Sequence, residues 1–62
     1  MTPDWKKLRA ANQELERLKQ HGLATHAEWD RILGEAKAAV GDHTEYLEGI
    51  LMTGAELGFV KS

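Results

Sequence analysis

Side chains that ordinarily carry chemistry are sparse in this chain, and those present stand where helices should begin and end. It contains no cysteine, and its only serine is Ser62. Disulfides, thiolate zinc sites and cysteine nucleophiles are therefore excluded, and a triad of the serine-hydrolase type has no well-placed nucleophile. Thr25 and Thr44 occupy positions that helix starts require, which accounts for both. Three histidines, His21, His26 and His43, raise the question of a metal, but no two have the i, i+4 spacing that sets two ligands on one helix face. His21 falls in the last turn of an expected helix, and His26 and His43 stand at helix starts. Glu14, Glu16, Asp30, Glu35, Glu48 and Glu56 take expected solvent faces. The six glycines form neither Gly-x-Gly-x-x-Gly nor Gly-x4-Gly-Lys. The expectation is a non-enzyme with no cofactor, no metal and no evident small-molecule substrate.

Charge points away from phosphate backbones as the main partner. Eight Lys/Arg against ten Asp/Glu leave a net charge of −2, unlike the basic balance of most nucleic-acid binders. The distribution is uneven. Residues 1–22 hold five basic and three acidic side chains, whereas residues 42–62 hold one and four. A positive first third and a negative last third attract each other within one molecule or between two, with the effect moderated by salt. A helix-turn-helix reading of the segment 15–33 fails at the second helix, which opens with His26, Ala27, Glu28 and Asp30 rather than the Arg, Lys, Asn or Gln that meet base edges. The basic residues Lys6, Arg9 and Arg17 belong to the first helix. They define the alternative function, a small dimeric DNA-binding regulator contacting DNA through that helix.

Those residues are positioned by three expected helices. Thr2 followed by Pro3 is a favourable start, and Trp5, Leu8, Ala11, Leu15 and Leu18 recur every three or four residues on one side. Gly22 can close this helix in the left-handed conformation, with Leu23 folding back onto Leu18, so the first helix is expected over about 3–21. Thr25 and Glu28 form a capping box opening a second helix over 26–40, whose stripe is Trp29, Ile32, Leu33, Ala36 and Val40 before Gly41. Asp42 and Glu45 repeat the capping logic for a third helix over 43–57, with Tyr46, Leu47, Ile50, Leu51 and Leu57 as its stripe. Gly54 inside that helix costs roughly 1 kcal/mol relative to alanine, so either the helix ends there or another backbone approaches closely. Gly34 and Gly49 lie off the stripes and have no evident reason.

The stretch Leu15-x-x-Leu18-x3-Gly22-Leu23-Ala24-Thr25-x-x-Glu28-Trp29 resembles the short C-terminal domain, or SHOCT motif, in which a leucine-bearing helix is followed by Gly, an apolar pair, Thr, acidic residues and an aromatic. The resemblance covers residues 15–33 and implies a non-catalytic interaction or oligomerisation module. A third helix after the hairpin, and the lack of a lysine-rich segment behind the aromatic, depart from that family's pattern.

The fold class expected is all-α, one three-helix domain spanning residues 1–62, near the size at which a single core suffices without a staple. Dimerisation is one way to complete such a core. No apolar run approaches the roughly 20 residues needed to cross a bilayer, and the opening Met-Thr-Pro-Asp-Trp-Lys-Lys does not lead into a signal-type apolar stretch, so a cytoplasmic location is expected. The function expected is protein–protein interaction, with self or with a larger protein, as a small regulator or inhibitor. Met52, Phe59, Val60 and Trp5 are the expected contact residues.

Overall fold

The computed structural model describes residues 2–60. It is all-α, with helices α1 (Trp5–His21), α2 (His26–Val40) and α3 (Glu48–Glu56), the last entered through a 3-10 turn at Thr44–Leu47. Among the described residues no helix is long and apolar enough to cross a membrane.

The hairpin of α1 and α2 forms most of the core. Leu8, Ala11 and Leu15 on α1 face Trp29, Ile32, Ala36, Ala39 and Val40 on α2, all buried, with Leu18 and Leu33 packed at the margin. Both stripes follow the three-and-four spacing that keeps apolar side chains on one side of a helix. The turn is a Schellman closure: Gly22, at φ 67°, donates to the Lys19 carbonyl at 3.2 Å, and Leu23 N–H donates to Leu18 at 2.9 Å. Leu23 itself stays exposed. Thr25 Oγ1 accepts from Glu28 N–H at 3.2 Å, so α2 has its N-cap. The reciprocal half of the expected capping box is absent, because the Glu28 carboxylate turns to Arg31 at 2.6 Å.

The start of α1 differs from the expected Thr2-Pro3. Asp4 is the N-cap, its carboxylate accepting from Lys7 N–H at 3.2 Å, while its own N–H donates to the Ala39 carbonyl at 2.7 Å. That second bond satisfies an orphan carbonyl in the last turn of α2. It also holds Asp4 against the end of α2, and the helix begins only at Trp5.

The largest departure is at the entry to α3. Gly41 has φ 59° and ψ −122°, and His43 N–H donates to the Val40 carbonyl at 3.0 Å. These are the dihedrals and the bond of a type II′ turn with glycine at its first corner. Asp42 is consumed as the second corner and cannot serve as a helix cap. The 3-10 turn that follows has no side-chain cap, and Glu45 pairs instead with His43 Nδ1 at 3.2 Å. Three residues per turn shift the phase, so Tyr46 emerges on the surface. The stripe that enters the core is Leu47, Ile50, Gly54 and Leu57, and Leu51 lies outside it.

Gly54 is explained by close approach, though of a side chain rather than a backbone. A Cβ built on it would lie 2.7 and 2.8 Å from Cζ2 and Cζ3 of Trp29 and closer still to Cη2. Flanking carbons this close, rather than well behind Cη2 as in an approach within the ring plane, place that position over the ring face. The helix continues to Glu56 and closes in a second Schellman motif: Gly58, at φ 87°, donates to Ala55 at 3.1 Å, and Phe59 N–H donates to Gly54 at 2.8 Å. Phe59 is thereby brought alongside Trp29, with ring centroids 5.9 Å apart and planes within 17°. Gly34, in contrast, faces open space, and nothing in the structure explains it.

The two glycines should respond oppositely to alanine. Gly54→Ala overpacks the indole and should lose about 1–3 kcal/mol, whereas Gly34→Ala should gain about 0.5–1 kcal/mol from helix propensity. Urea denaturation of both variants checks the pair, and equal responses would contradict the packing described.

Candidate protein-interaction face

Three contacts set α3 and its 3-10 entry beside α1. The Trp5 and Tyr46 rings meet edge to face with centroids 4.7 Å apart and planes at 76°. Asn12, whose amide donates to the Leu8 carbonyl at 3.1 Å, has its Oδ1 next to Gly49. Lys19 pairs with Glu56. On α1 these positions are seven residues apart, two turns, so they share one side of the helix. Because residue numbers rise together along both elements, α1 and α3 run in the same direction.

The outer surface of this pair has an aromatic end, a low middle and charged rims. Trp5 is 48% exposed and Tyr46 42%, an unusual display for two large rings in a chain with a formed core. Gly49 presents no side chain, so the surface dips between Arg9 and Asn12 on α1 and Met52, one turn further along α3. Lys6, Arg9 and Arg17 are exposed on α1, and among the described residues none is in an ion pair. Glu45 in the 3-10 turn and Glu48 at the start of α3 are exposed.

The residues expected to make partner contact are not brought together as one group. Met52 is 61% exposed and points away from the core, and Trp5 is exposed at the end of α1. Phe59 and Val60 are half-buried against the core, and Phe59 also lies 5.6 Å from the His26 ring. Tyr46 is the surface aromatic that sequence periodicity misses, because only the 3-10 entry turns it outward. Asp42 ahead of Thr44 resembles an α-helical cap, so nothing in the sequence signals that entry except Gly41.

Away from this face, one charged cluster, centred on Arg31, joins α2 to α1. Arg31 on α2 donates to Glu14 on α1, to Glu28 at 2.6 Å and to Glu35 at 3.3 Å. The hydrogen bond from Arg31 holds the Glu14 carboxyl below its ordinary value, against an opposing desolvation. Arg31 is correspondingly held protonated, by Glu14 first and then Glu28. The Glu56 hydrogen bond raises Lys19. Glu45 is lowered, chiefly by its own backbone N–H and then by His43. The histidines remain at helix ends: His26 lies 3.8 Å from Asp30, and His21 ends α1.

Compared with known proteins, the chain matches no family model, and searches of curated proteins and of solved structures find no match either.

Glu14 binds its proton less tightly folded than unfolded. Its contribution is therefore present above the ordinary value of 4.5 and is lost as pH falls through the lowered one. Both partners are substantially exposed, so the effect is small. The stability difference between wild type and Glu14→Gln should narrow between pH 7 and pH 3 in chemical denaturation. A difference that is unchanged with pH would rule out the clamp.

Proposed function

We propose that this chain is a non-catalytic protein-interaction module whose contact surface is the face shared by α1 and α3, and that it acts as a small regulator or inhibitor of what it binds. The observation that carries this reading is the Trp5–Tyr46 pair, two rings packed on each other and each about half exposed. Tryptophan and tyrosine are enriched at the centres of protein interfaces, where a large rigid ring adds area at little entropic cost and its polar atom finds a partner. Met52 is the second candidate contact, as an adaptable apolar side chain on the far rim. Phe59 and Val60 are better read as core packing, since the Schellman closure at Gly58 directs them inward. The SHOCT resemblance of residues 15–33 agrees with an interaction role and rests on caps and apolar spacing alone.

A second reading has one observation behind it: Lys6, Arg9 and Arg17 stand exposed along the outer side of α1 with no ion-pair partner among the described residues, as a dimeric regulator contacting DNA would need. Glu16 on the same helix and the acidic rim of α3 weigh against it, since both would repel phosphates.

Trp5→Ala and Tyr46→Ala should each weaken capture of a protein partner about tenfold or more, as loss of an aromatic anchor does. Affinity capture with each variant, alongside circular dichroism to confirm helicity, checks this. Identical proteins retained by wild type and both variants would refute the reading. Duplex DNA binding by the wild type at low salt, abolished by Arg9→Glu and Arg17→Glu, would replace it with the second.

A further inference from the structure

Gly49 stands in α3, where a glycine costs roughly 1 kcal/mol against alanine. The fold does not require it: a Cβ there would touch only Asn12 Oδ1, at 3.9 Å, an ordinary contact. Gly54 is needed to admit Trp29, but Gly49 admits nothing from its own chain. It keeps the surface between α1 and α3 low, at a point flanked by the exposed Arg9 on one side and Met52 on the other.

The α3 rim and its 3-10 entry are acidic, and the α1 rim carries Arg9 opposite them, with Glu16 two turns further along. Arg9 and Arg17 are exposed on α1, Glu45 in the 3-10 turn and Glu48 at the start of α3, and among the described residues only Lys19–Glu56 joins the positive first third to the negative last third. From these observations we propose that a second copy of this chain docks on the α1–α3 face, with α1 of each copy lying over α3 of the other. The proposal rests on the interaction reading above and names the partner.

Symmetry explains why the parallel arrangement matters. A two-fold axis running along the helices between two stacked α1–α3 layers exchanges left and right but preserves direction and height. Each α1 then meets the other copy's α3 in the register already present within one chain, Trp5 level with Tyr46 and Asn12 level with Gly49. Arg9 lies between Trp5 and Asn12, which brings it level with the other copy's Glu48, and the same contact occurs twice because the interface is self-complementary. Gly49 of each copy leaves room for a side chain arriving from α1 of the other. The aromatic pairs of both copies gather at one end. In a chain of 62 residues, such a pairing adds apolar burial where one small core has little to spare.

The test is solution mass by sedimentation equilibrium over a hundredfold concentration range, with circular dichroism on the same samples. Wild type should dimerise. Arg9→Glu and Glu48→Arg should each weaken the dimer about tenfold or more, since each reverses two contacts per dimer, and the double variant should recover most of the loss. Gly49→Leu should also weaken dimerisation while keeping helicity, because its Cβ meets nothing nearer than Asn12 Oδ1 at 3.9 Å. A wild type that is monomeric throughout, or a dimer indifferent to all three single changes, or a double variant showing both losses in full, would overturn the proposal. A monomer would still leave Trp5 and Tyr46 as the contact for a different protein, and that reading stands or falls on the alanine variants above.

Discussion

The position of α3, and with it every surface feature of interest, depends on one steric accommodation: the Trp29 indole fills the space a side chain at residue 54 would occupy. With a Cβ there, the indole and α3 could not keep their present separation. Gly54 meets this constraint at the cost of helix propensity, and the surrounding chain compensates. Trp29 is almost fully buried, Phe59 lies against it, and the Gly58 closure fixes Phe59 through a bond to the Gly54 carbonyl itself. One backbone position therefore admits the indole, accepts the terminal hydrogen bond of its helix, and sets the course of the following residues.

Once α3 is seated on α2 by that contact, its relation to α1 follows. Leu47 and Ile50 complete the core, and the flank of α3 comes to lie along α1 from the Trp5–Tyr46 pair to Lys19–Glu56. The outer contacts of α1 with α3 and its 3-10 entry are aromatic, polar and ionic, whereas the contact between α1 and α2 is apolar with an ionic margin at Arg31. Such a boundary is well suited to recognition, since its groups already carry polar atoms in reach of water and of a partner. The proposed interaction therefore depends on the site the fold exposes rather than on three-helix architecture, which hosts many functions.

Much of the architecture was legible in the sequence because local signals and periodicity agreed. Gly22 and Thr25 closed and opened the first two helices, and the stripes of Leu8, Ala11 and Leu15 and of Trp29, Ile32, Ala36 and Val40 became the core. Legibility failed where tertiary contacts overrode local rules. The Ala39 carbonyl drew in the Asp4 N–H and displaced the start of α1 from Pro3. The type II′ turn at Gly41 used Asp42, converted the entry of α3 to a 3-10 turn and rotated Tyr46 outward, so the stripe passed through Gly54 rather than Leu51. The candidate face was only half visible. Trp5 and Met52 could be named from their types, but Tyr46 and the low surface at Gly49 exist only because α1 and α3 lie side by side, which no spacing within either helix encodes.

The most direct test of the Trp29–Gly54 contact is the proton chemical shift of the Gly54 α-hydrogens. A proton on Gly54 occupying the Cβ direction lies over the indole face, where the ring current shields it. The account predicts one Gly54 α-proton well upfield of the ordinary glycine range, with the displacement lost when Trp29 is replaced by leucine. Two Gly54 α-protons at ordinary shifts in the folded wild type would mean that the indole does not lie against residue 54, and that α3 is held in place by some other contact.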